Sequence, residues 1–291
     1  MSALKVLDVE QIRQAVQDLA VKVNSFLPAD MCQALASAQE EEVSPLGRYA
    51  LEQIGDNARL AAQKEVPMCQ DTGLVVVFAD LGQDLHITGG DAERAIQEGV
   101  AAGYKAAYCR ASMVEEPVFD RKNTGNNLPA VVHWRLVAGD QLTITLMPKG
   151  GGAENMGALG LLKPTQGEKG VYDFVMQAIQ QAGGNPCPPI TVGIGLGGSM
   201  EKATLLAKEA LLEPVDAHHS DPRYAALEKR LLADINKLGI GPQGFGGKTT
   251  ALAVHIKTFP AHIAMLPVAV NINCHAVRHA AVSLKGVDQD D

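Results

Sequence analysis

The sequence predicts an α+β fold, in which a helical N-terminal layer packs with a mixed or antiparallel β-sheet region in a single domain. Apolar residues recur at helical spacing through about the first 65 residues, and short β-branched apolar runs are frequent after them. The chain contains no internal repeat, low-complexity tract or obvious linker. We therefore expect one domain over residues 1–291, with the helical layer at 1–65 and mixed α and β structure at 66–291.

Three helices are expected in the N-terminal layer. Asp8 can cap the first, an apolar stripe at spacings of three and four follows it, and Pro28 lies beyond its end. A second helix is expected to begin at Asp30. Ser44 and Pro45 mark the start of a third, because proline is favoured in the first turn of a helix.

Strands and helices are both expected in the remainder of the chain. Strands are predicted at 74–78, 131–137, 142–147, 190–194, 250–257 and 263–272. Helices are predicted at 91–108, 170–182, 199–212 and 222–238. The turn-forming residues 138–141 predict that the second and third of these strands form a hairpin, and a glycine-rich loop is expected at 150–160.

Composition and charge exclude several classes of protein. The chain has 25 Lys and Arg residues against 33 Asp and Glu, which gives a net charge of −8. This acidic balance argues against a protein that coats nucleic acid, since that task needs a basic surface. There is no apolar run of about 18 residues to span a membrane, and the first residues lack the apolar core of a signal peptide. We expect a cytoplasmic protein.

One glycine-rich segment resembles a dinucleotide-binding motif. Gly193–Gly198 satisfies the GxGxxG pattern between a predicted strand and a predicted helix. The acidic residue that such a site needs about 20 positions later falls at the end of a helical run, where it does not fit the pattern. The segment could still present backbone N–H groups to an anion. A non-catalytic anion- or dinucleotide-binding module is therefore an alternative.

The five cysteines are odd in number and scattered, which does not suit a disulfide framework. Cys69, Cys187 and Cys274 lie at the ends of predicted regular elements, where thiolates can project into a shared cavity. Three such thiolates suit an iron–sulfur cluster, although their spacing by itself favours three unrelated buried thiols. Cys32 and Cys109 lie in apolar helical stretches and are expected to be inert core thiols.

A zinc site is a further possibility near the last cysteine. His275 and His279 are four residues apart and could share one helical face beside Cys274. This would make the chain a zinc-stabilised interaction protein. A helix that carries hydrogen-bonded histidines is the more ordinary interpretation, because no HExxH or paired CxxC motif supports zinc.

The residues around the three cysteines form part of an ordered set of five motifs. These are Cys69-Gln70-Asp71-Thr72-Gly73, Lys149-Gly150-Gly151-Gly152-Ala153-Glu154-Asn155, Pro186-Cys187-Pro188-Pro189, Gly241-Pro242-Gln243-Gly244 and Asn273-Cys274-His275-Ala276. The set resembles the iron–sulfur-dependent class I fumarate hydratases and the related L-tartrate dehydratase α subunits, from about residue 10 to residue 280. A chain of this length is similar to the α subunit of the two-chain enzymes and to the N-terminal domain of the one-chain enzymes.

The resemblance implies the cofactor and its ligands. Cys69, Cys187 and Cys274 would hold a [4Fe–4S] cluster and leave one iron without a protein ligand. That iron could act as a Lewis acid toward a substrate oxygen. A cluster with an open iron also implies an oxygen-sensitive enzyme.

The resemblance further implies the substrate-binding residues. Asp71 would be the catalytic acid or base, and Gln70 would also face the substrate. Arg110 would pair with a substrate carboxylate, to which Gly151 and Gly152 would offer backbone N–H groups. Without the resemblance, Asp71 would be interpreted as an Asx turn and Arg110 as an exposed helix end.

The activity implied is reversible hydration of fumarate to L-malate, a reaction of the tricarboxylic acid cycle. The glycine-rich motif and the Asn271–Cys274 segment favour fumarate over L-tartrate, although Ala153 stands where many fumarases have serine. In the family, further substrate-binding groups lie in a separate C-terminal domain. A β subunit is therefore implied, in an α2β2 assembly that acts on a small dicarboxylate and involves neither nucleic acid nor a membrane.

Overall fold

The computed structural model describes residues 4–288. Its helices are α1 (Val9–Ser25), α2 (Ala29–Glu41), α3 (Pro45–Lys64), α4 (Ala92–Ala106), α5 (Gly151–Glu154), α6 (Gly167–Ala182), α7 (Met200–Ala210) and α8 (Pro222–Asn236). Its strands are β1 (Lys5–Asp8), β2 (Leu74–Gly82), β3 (Leu85–Thr88), β4 (Val131–Val137), β5 (Gln141–Lys149), β6 (Ala158–Leu162), β7 (Ile190–Gly197), β8 (Ala251–Phe259), β9 (Leu266–Asn273), β10 (Ala280–Lys285) and β11 (Val287–Asp288). The predicted α+β fold class is confirmed.

The chain divides into two compact units, each assembled from separate stretches of sequence. Unit 1 comprises Met1–Pro28, Ala58–Gly150 and Arg278–Asp291, and unit 2 comprises Ala29–Asn57 and Gly151–Val277. The boundaries between these units do not coincide with the predicted division at residue 65. The extent of a single domain over 1–291 stays a prediction.

In unit 1, helices α1 and α4 pack against each other beside a four-stranded sheet of order β10-β5-β2-β4. The core between them is aliphatic, with Ile12 and Val16 of α1 fully buried together with Ile96 of α4. Asp8 caps α1 as predicted, since its side chain accepts a 2.7 Å hydrogen bond from the N–H of Glu10. A smaller sheet of order β11-β1-β3 completes the unit.

Unit 2 is built on a four-stranded sheet of order β6-β9-β7-β8. Helix α7 covers one face of this sheet, and α6 and α8 contribute to the core on the other. The residues of β7 show which helices lie on each face of the sheet, because alternate side chains of a strand point to opposite sides. Val192 and Ile194 lie in the core with α6 and α8, whereas Gly193 and Gly195 face α7.

Two glycines of β7 let α7 approach the sheet closely. A Cβ atom at Gly195 would lie 1.9 Å from the carbonyl oxygen of Ala203, and one at Gly193 would lie 2.1 Å from that of Ala207. Both contacts are with helix backbone, which cannot rotate away as a side chain can. These two positions of the GxGxxG pattern are thus required by helix packing.

Replacing Gly195 by alanine is therefore expected to lower the free energy of unfolding by about 3 kcal/mol, because α7 must move off the sheet. The matched control is Gly55→Ala in α3, where a Cβ atom meets no heavy atom of the described residues within 4 Å outside its own helix and chain neighbours. That change should stabilise by about 0.5–1 kcal/mol, since alanine is the better helix former. Denaturant unfolding of both variants measures the difference. Equal stabilities would contradict the packing role of Gly195.

The predicted hairpin of 131–137 and 142–147 is wrong. Strands β4 and β5 both form, but β2 lies between them, parallel to β4 and antiparallel to β5. The burial of the strands explains this order. β2 is buried along most of its length and suits the interior of the sheet, whereas β4 is largely exposed and suits the edge.

The remaining elements follow the predictions with a few differences. The expected helices and strands form within a few residues of their predicted ends, but β1, β3, β6, β10 and β11 have no counterpart in the predictions. The loop predicted at 150–160 contains the short helix α5 and the start of β6. Residues 274–279 are not helical, so His275 and His279 do not share a helical face. Among residues 4–288, no helix is long and apolar enough to cross a membrane.

Candidate active site

One edge of the unit 2 sheet gathers four of the five sequence motifs. Strand β7 runs antiparallel to β9, with Thr191 opposite Asn273, and parallel to β8. Strand β6 also runs antiparallel to β9, with Ala158 opposite Val270. The starts of β6, β7 and β8 therefore lie at the same edge as the end of β9. The segments beyond this edge carry the Gly-Gly-Gly-Ala-Glu-Asn, Pro-Cys-Pro-Pro, Gly-Pro-Gln-Gly and Asn-Cys-His-Ala motifs.

The segments that carry Cys187 and Cys274 are hydrogen-bonded to each other. The carbonyl oxygen of Cys187 accepts from the N–H of His275 at 3.3 Å, and Nδ1 of His275 lies 3.1 Å from the same oxygen. Gln243 joins them, because its N–H and its Nε2 both donate to the carbonyl of Pro188 at 2.8 Å. Its Nε2 also lies 3.0 Å from Nδ1 of His275. Two of the predicted ligand loops are thus held side by side in unit 2.

Cys187 has an unusual backbone conformation for a non-glycine residue. Its φ angle is +55°, in the left-handed region, and its side chain is exposed. Such conformations persist when surrounding contacts impose them, and they are frequent at functional sites. The hydrogen bonds from the segment of His275 supply that constraint here.

The glycine-rich motif is anchored to the sheet by the carboxylate of Glu154. Lys208 of α7 donates to this carboxylate at 2.5 Å, and the side-chain amide of Asn271 in β9 donates at 3.1 Å. Gly151 and Gly152 are exposed residues of the same short helix, α5. The anchor therefore determines where their backbone N–H groups lie relative to the sheet edge.

A buried carboxylate organises the chain near the Gly-Pro-Gln-Gly motif. Glu42 is fully buried, and its two oxygens accept from four backbone N–H groups at 2.8–3.0 Å. The donors are residues Val43, Ser44, Lys248 and Thr249. Burial alone would raise the pKa of Glu42, but the hydrogen bonds from these N–H groups outweigh burial and lower the pKa. The carboxylate is thus held ionised, and it joins the start of α3 to the chain that leads into β8.

In unit 1, the Cys69–Gly73 motif forms a loop that is held at three consecutive carbonyl groups. The carbonyl of Asp71 accepts from Nη2 of Arg278 at 2.8 Å. That of Thr72 accepts from the hydroxyl of Tyr104 at 2.7 Å, and that of Gly73 accepts from the side-chain amide of Asn127 at 3.0 Å. The three donors come from three different parts of the chain. The loop conformation is therefore determined by tertiary contacts.

Arg110 is connected to this loop through its backbone. The hydroxyl of Thr72 donates to the carbonyl of Arg110 at 2.5 Å, and the Arg110 side chain is exposed. Asp71 lies next to Gly150, also in unit 1, because a Cβ atom at Gly150 would be 3.1 Å from its Oδ2. Oδ1 of Asp71 accepts from the N–H of Gly73 at 3.1 Å, which is the Asx turn expected without the resemblance.

The predicted site residues divide between the units. Unit 1 holds Cys69, Gln70, Asp71 and Arg110, and unit 2 holds Gly151, Gly152, Cys187 and Cys274. Gln70, Cys187 and both glycines are exposed, whereas Cys69, Asp71 and Cys274 are half-buried. The structure brings together Asp71 with Gly150 in unit 1 and the Cys187 and Cys274 loops in unit 2. The roles of all these residues stay predictions.

The thiols differ in their surroundings. None of the five cysteines, all within the described residues, is in a disulfide. Burial raises the pKa of Cys109 to about 11, which agrees with an inert thiol. Cys32 is exposed on α2, so the expectation that it is a core thiol is wrong. Across residues 4–288, no group of three or more His, Cys, Asp and Glu side chains is arranged to hold a metal ion.

Sequence reasoning missed several residues that shape the site. Arg278, Tyr104 and Asn127 hold the Cys69–Gly73 loop, and Glu42 holds the chain before β8. Arg278 stands four positions after Cys274, and this proximity was the only available signal. The others are far from every motif in sequence.

The motifs and their order in the chain resemble those of an enzyme family. The family model described as fumarate hydratase (Fumerase) matches residues 13–283 of this chain. The chain therefore belongs to the fumarate hydratase family, and the resemblance inferred from the motifs is confirmed.

Named relatives cover nearly all of the chain. A Methanocaldococcus jannaschii protein, provisionally named an L(+)-tartrate dehydratase subunit alpha, is 38% identical over 283 residues, which are 94% of this chain and 98% of that protein. The L(+)-tartrate dehydratase subunit alpha of Escherichia coli strain K12 is 31% identical over 278 residues, which are 94% of this chain and 91% of the relative. The chain is thus similar to proteins named as dehydratase α subunits over 94% of its length.

Proposed function

We propose that this chain is the α subunit of a hydro-lyase that reversibly adds water to fumarate to give L-malate. The observation that carries the proposal is the convergence of four motifs at one edge of the unit 2 sheet, where the loops of Cys187 and Cys274 are hydrogen-bonded to each other. Family membership and the α-subunit names of the relatives support the assignment to a divided enzyme.

The residue type of the three motif cysteines supports an iron–sulfur cofactor. Cys69, Cys187 and Cys274 each lie in a loop at the end of a strand, outside any disulfide, and thiolates are the ligands such clusters prefer. We propose that they hold a [4Fe–4S] cluster. When bound, a cluster with three cysteine ligands supplies an iron that acts as a Lewis acid toward a substrate oxygen.

The side chains of this chain would bind and orient the substrate. Hydration places a hydroxyl on one alkene carbon of fumarate and a proton on the other, and charge develops on the adjacent carboxylate. We propose that Arg110 pairs with one substrate carboxylate and that N–H groups of Gly151 and Gly152 donate to it. Gln70 would hydrogen-bond the substrate. Asp71 would take a proton from the water that is added, or return one to the hydroxyl that leaves.

L(+)-tartrate is the second candidate substrate. It is favoured by the names of the relatives, all of which cover nearly the whole chain. Both substrates are four-carbon dicarboxylates that gain or lose water beside a carboxylate, so one set of binding residues suits either.

The proposal is tested by co-expressing the chain with a β subunit and purifying the complex without oxygen. We expect a brown α2β2 complex with about four irons per α chain, which loses activity in air. Parallel assays with fumarate, L-malate and L(+)-tartrate determine which substrate the enzyme uses. A colourless complex that binds no iron and is inactive on all three substrates would overturn the proposal. Zinc in place of iron would favour a zinc-stabilised protein.

A further inference from the structure

The feature that the proposed function leaves unused is a buried guanidinium beneath the Cys69–Gly73 loop. Arg278 is 2% exposed and lies in unit 1. Its Nη2 donates to the carbonyl of Asp71 at 2.8 Å, and its Nη1 donates to Oδ1 of Asn24 at 3.4 Å. Among the described residues, its Nε has no hydrogen-bond partner. Burying an arginine with so few partners costs free energy, so a role beyond packing is expected.

Asn24 links the loop to helix α1 at two points. Asn24 is fully buried near the end of α1, and its backbone carbonyl accepts from the N–H of Met68 at 3.0 Å. Its side-chain amide donates to the carbonyl of Ala20 at 2.8 Å, which turns its Oδ1 toward Arg278. Asn24 therefore holds the loop before Cys69 directly, and it holds the loop at Asp71 through Arg278.

The charge of Arg278 also lies close to the carboxylate of Asp71. The position of a Cβ atom at Gly150 is 3.1 Å from Oδ2 of Asp71 and 3.8 Å from Nη2 of Arg278. Both groups thus reach the same small region beside Gly150. Tyr104 and Asn127 hold the neighbouring carbonyls with neutral groups, so Arg278 is the cation of the three donors. A neutral donor could also hydrogen-bond the Asp71 carbonyl, but it would not attract the carboxylate.

We propose that Arg278 is a positioning residue, which sets the Cys69–Asp71 loop and orients the Asp71 carboxylate toward the substrate. The inference rests on the role proposed above for Asp71. It assigns no contact between Arg278 and the substrate. Outer residues that orient catalytic or ligating groups affect turnover more than they affect substrate binding, because they act on the geometry of the reacting groups.

The test compares Arg278→Met and Arg278→Lys in the anaerobic α2β2 complex. We expect Arg278→Met to lower kcat by about 10–100-fold with little change in KM, and Arg278→Lys to recover part of the loss. Arg94→Met is the control, since Arg94 is an exposed arginine of α4 whose partner is Glu98 one turn away. A kcat of Arg278→Met within about twofold of the Arg94→Met value would overturn the proposal.

Hydrogen exchange provides a readout that does not depend on activity. In the full chain, Arg278→Lys and Arg278→Met should speed amide exchange at residues 68–73 and leave α4 unchanged. Faster exchange throughout unit 1 would show a merely structural role and would overturn the proposal. If the wild-type complex lacks hydro-lyase activity, the proposed function fails, while local exchange at 68–73 still decides whether Arg278 sets the loop. If Arg278→Met does not fold, kcat and amide exchange are both measured on Arg278→Lys.

Discussion

Cys187→Ala is expected to remove the iron and the activity of the α2β2 enzyme together. Three cysteines are the fewest that hold a [4Fe–4S] cluster with one open iron, so the loss of one thiolate leaves the cluster under-ligated. We expect iron to fall from about four per chain to near zero, and turnover to fall by at least about 100-fold. Iron analysis and the hydratase assay on anaerobic protein measure both effects.

The control for this prediction is Cys32→Ala. Cys32 is exposed on α2 and belongs to none of the five motifs, so its replacement should leave iron and activity unchanged. The comparison also separates the proposed enzyme from its rival. A binding module that uses Gly193–Gly198 would tolerate Cys187→Ala, because that segment lies in β7 and the turn after it. Retention of iron by the Cys187 variant would contradict the proposed ligand set.

Glu42→Gln is expected to destabilise the protein by about 2–4 kcal/mol. The glutamine amide would place N–H donors opposite backbone N–H groups that now donate to the carboxylate. Glu41→Gln is a matched control at the adjacent residue. Glu41 is exposed, and its ion pair with Lys248 at 2.8 Å is screened by solvent, so this change should have little effect on stability. Urea unfolding at neutral pH measures both variants, and equal losses would contradict the role of Glu42.

The destabilisation by Glu42→Gln should also depend on pH. The pKa of Glu42 in the folded protein is lowered from its ordinary value of 4.5. The carboxylate therefore contributes its full stability above pH 4.5 and loses that contribution as the pH falls through the lowered pKa. The stability difference between wild type and Glu42→Gln should shrink in acid. A difference that stays constant down to pH 2 would contradict the lowered pKa.

Signals from residues close together in the sequence are sufficient to predict most of the helices and strands. The cap at Asp8 and the proline at position 45 each identify a helix start correctly, because capping depends on residues within one turn. The prediction of a hairpin is wrong because strand pairing does not depend on nearby residues alone. Whether β4 and β5 pair with each other or with β2 depends on burial across the sheet, and a turn sequence between two strands does not report it.

The motifs predicted the family and the ligand loops, but not the groups that hold those loops. A charged residue in a sequence is by default expected at the surface. Glu42 and Arg278 are both buried, and most of their partners are backbone N–H and carbonyl groups, which nearly every residue type supplies. Such contacts leave no pattern of residue types, so only the tertiary structure reveals them.

The discontinuous make-up of unit 1 has a consequence for the order of folding. Strand β10 pairs with β5, and β11 pairs with β1, so two strands from late in this sequence complete both sheets of a unit that also contains the early strand β1. Contacts between such distant parts of a chain form slowly, because a long loop must close first. Until β10 and β11 have been synthesised, β1 and β5 each have an edge that is open to association with other chains.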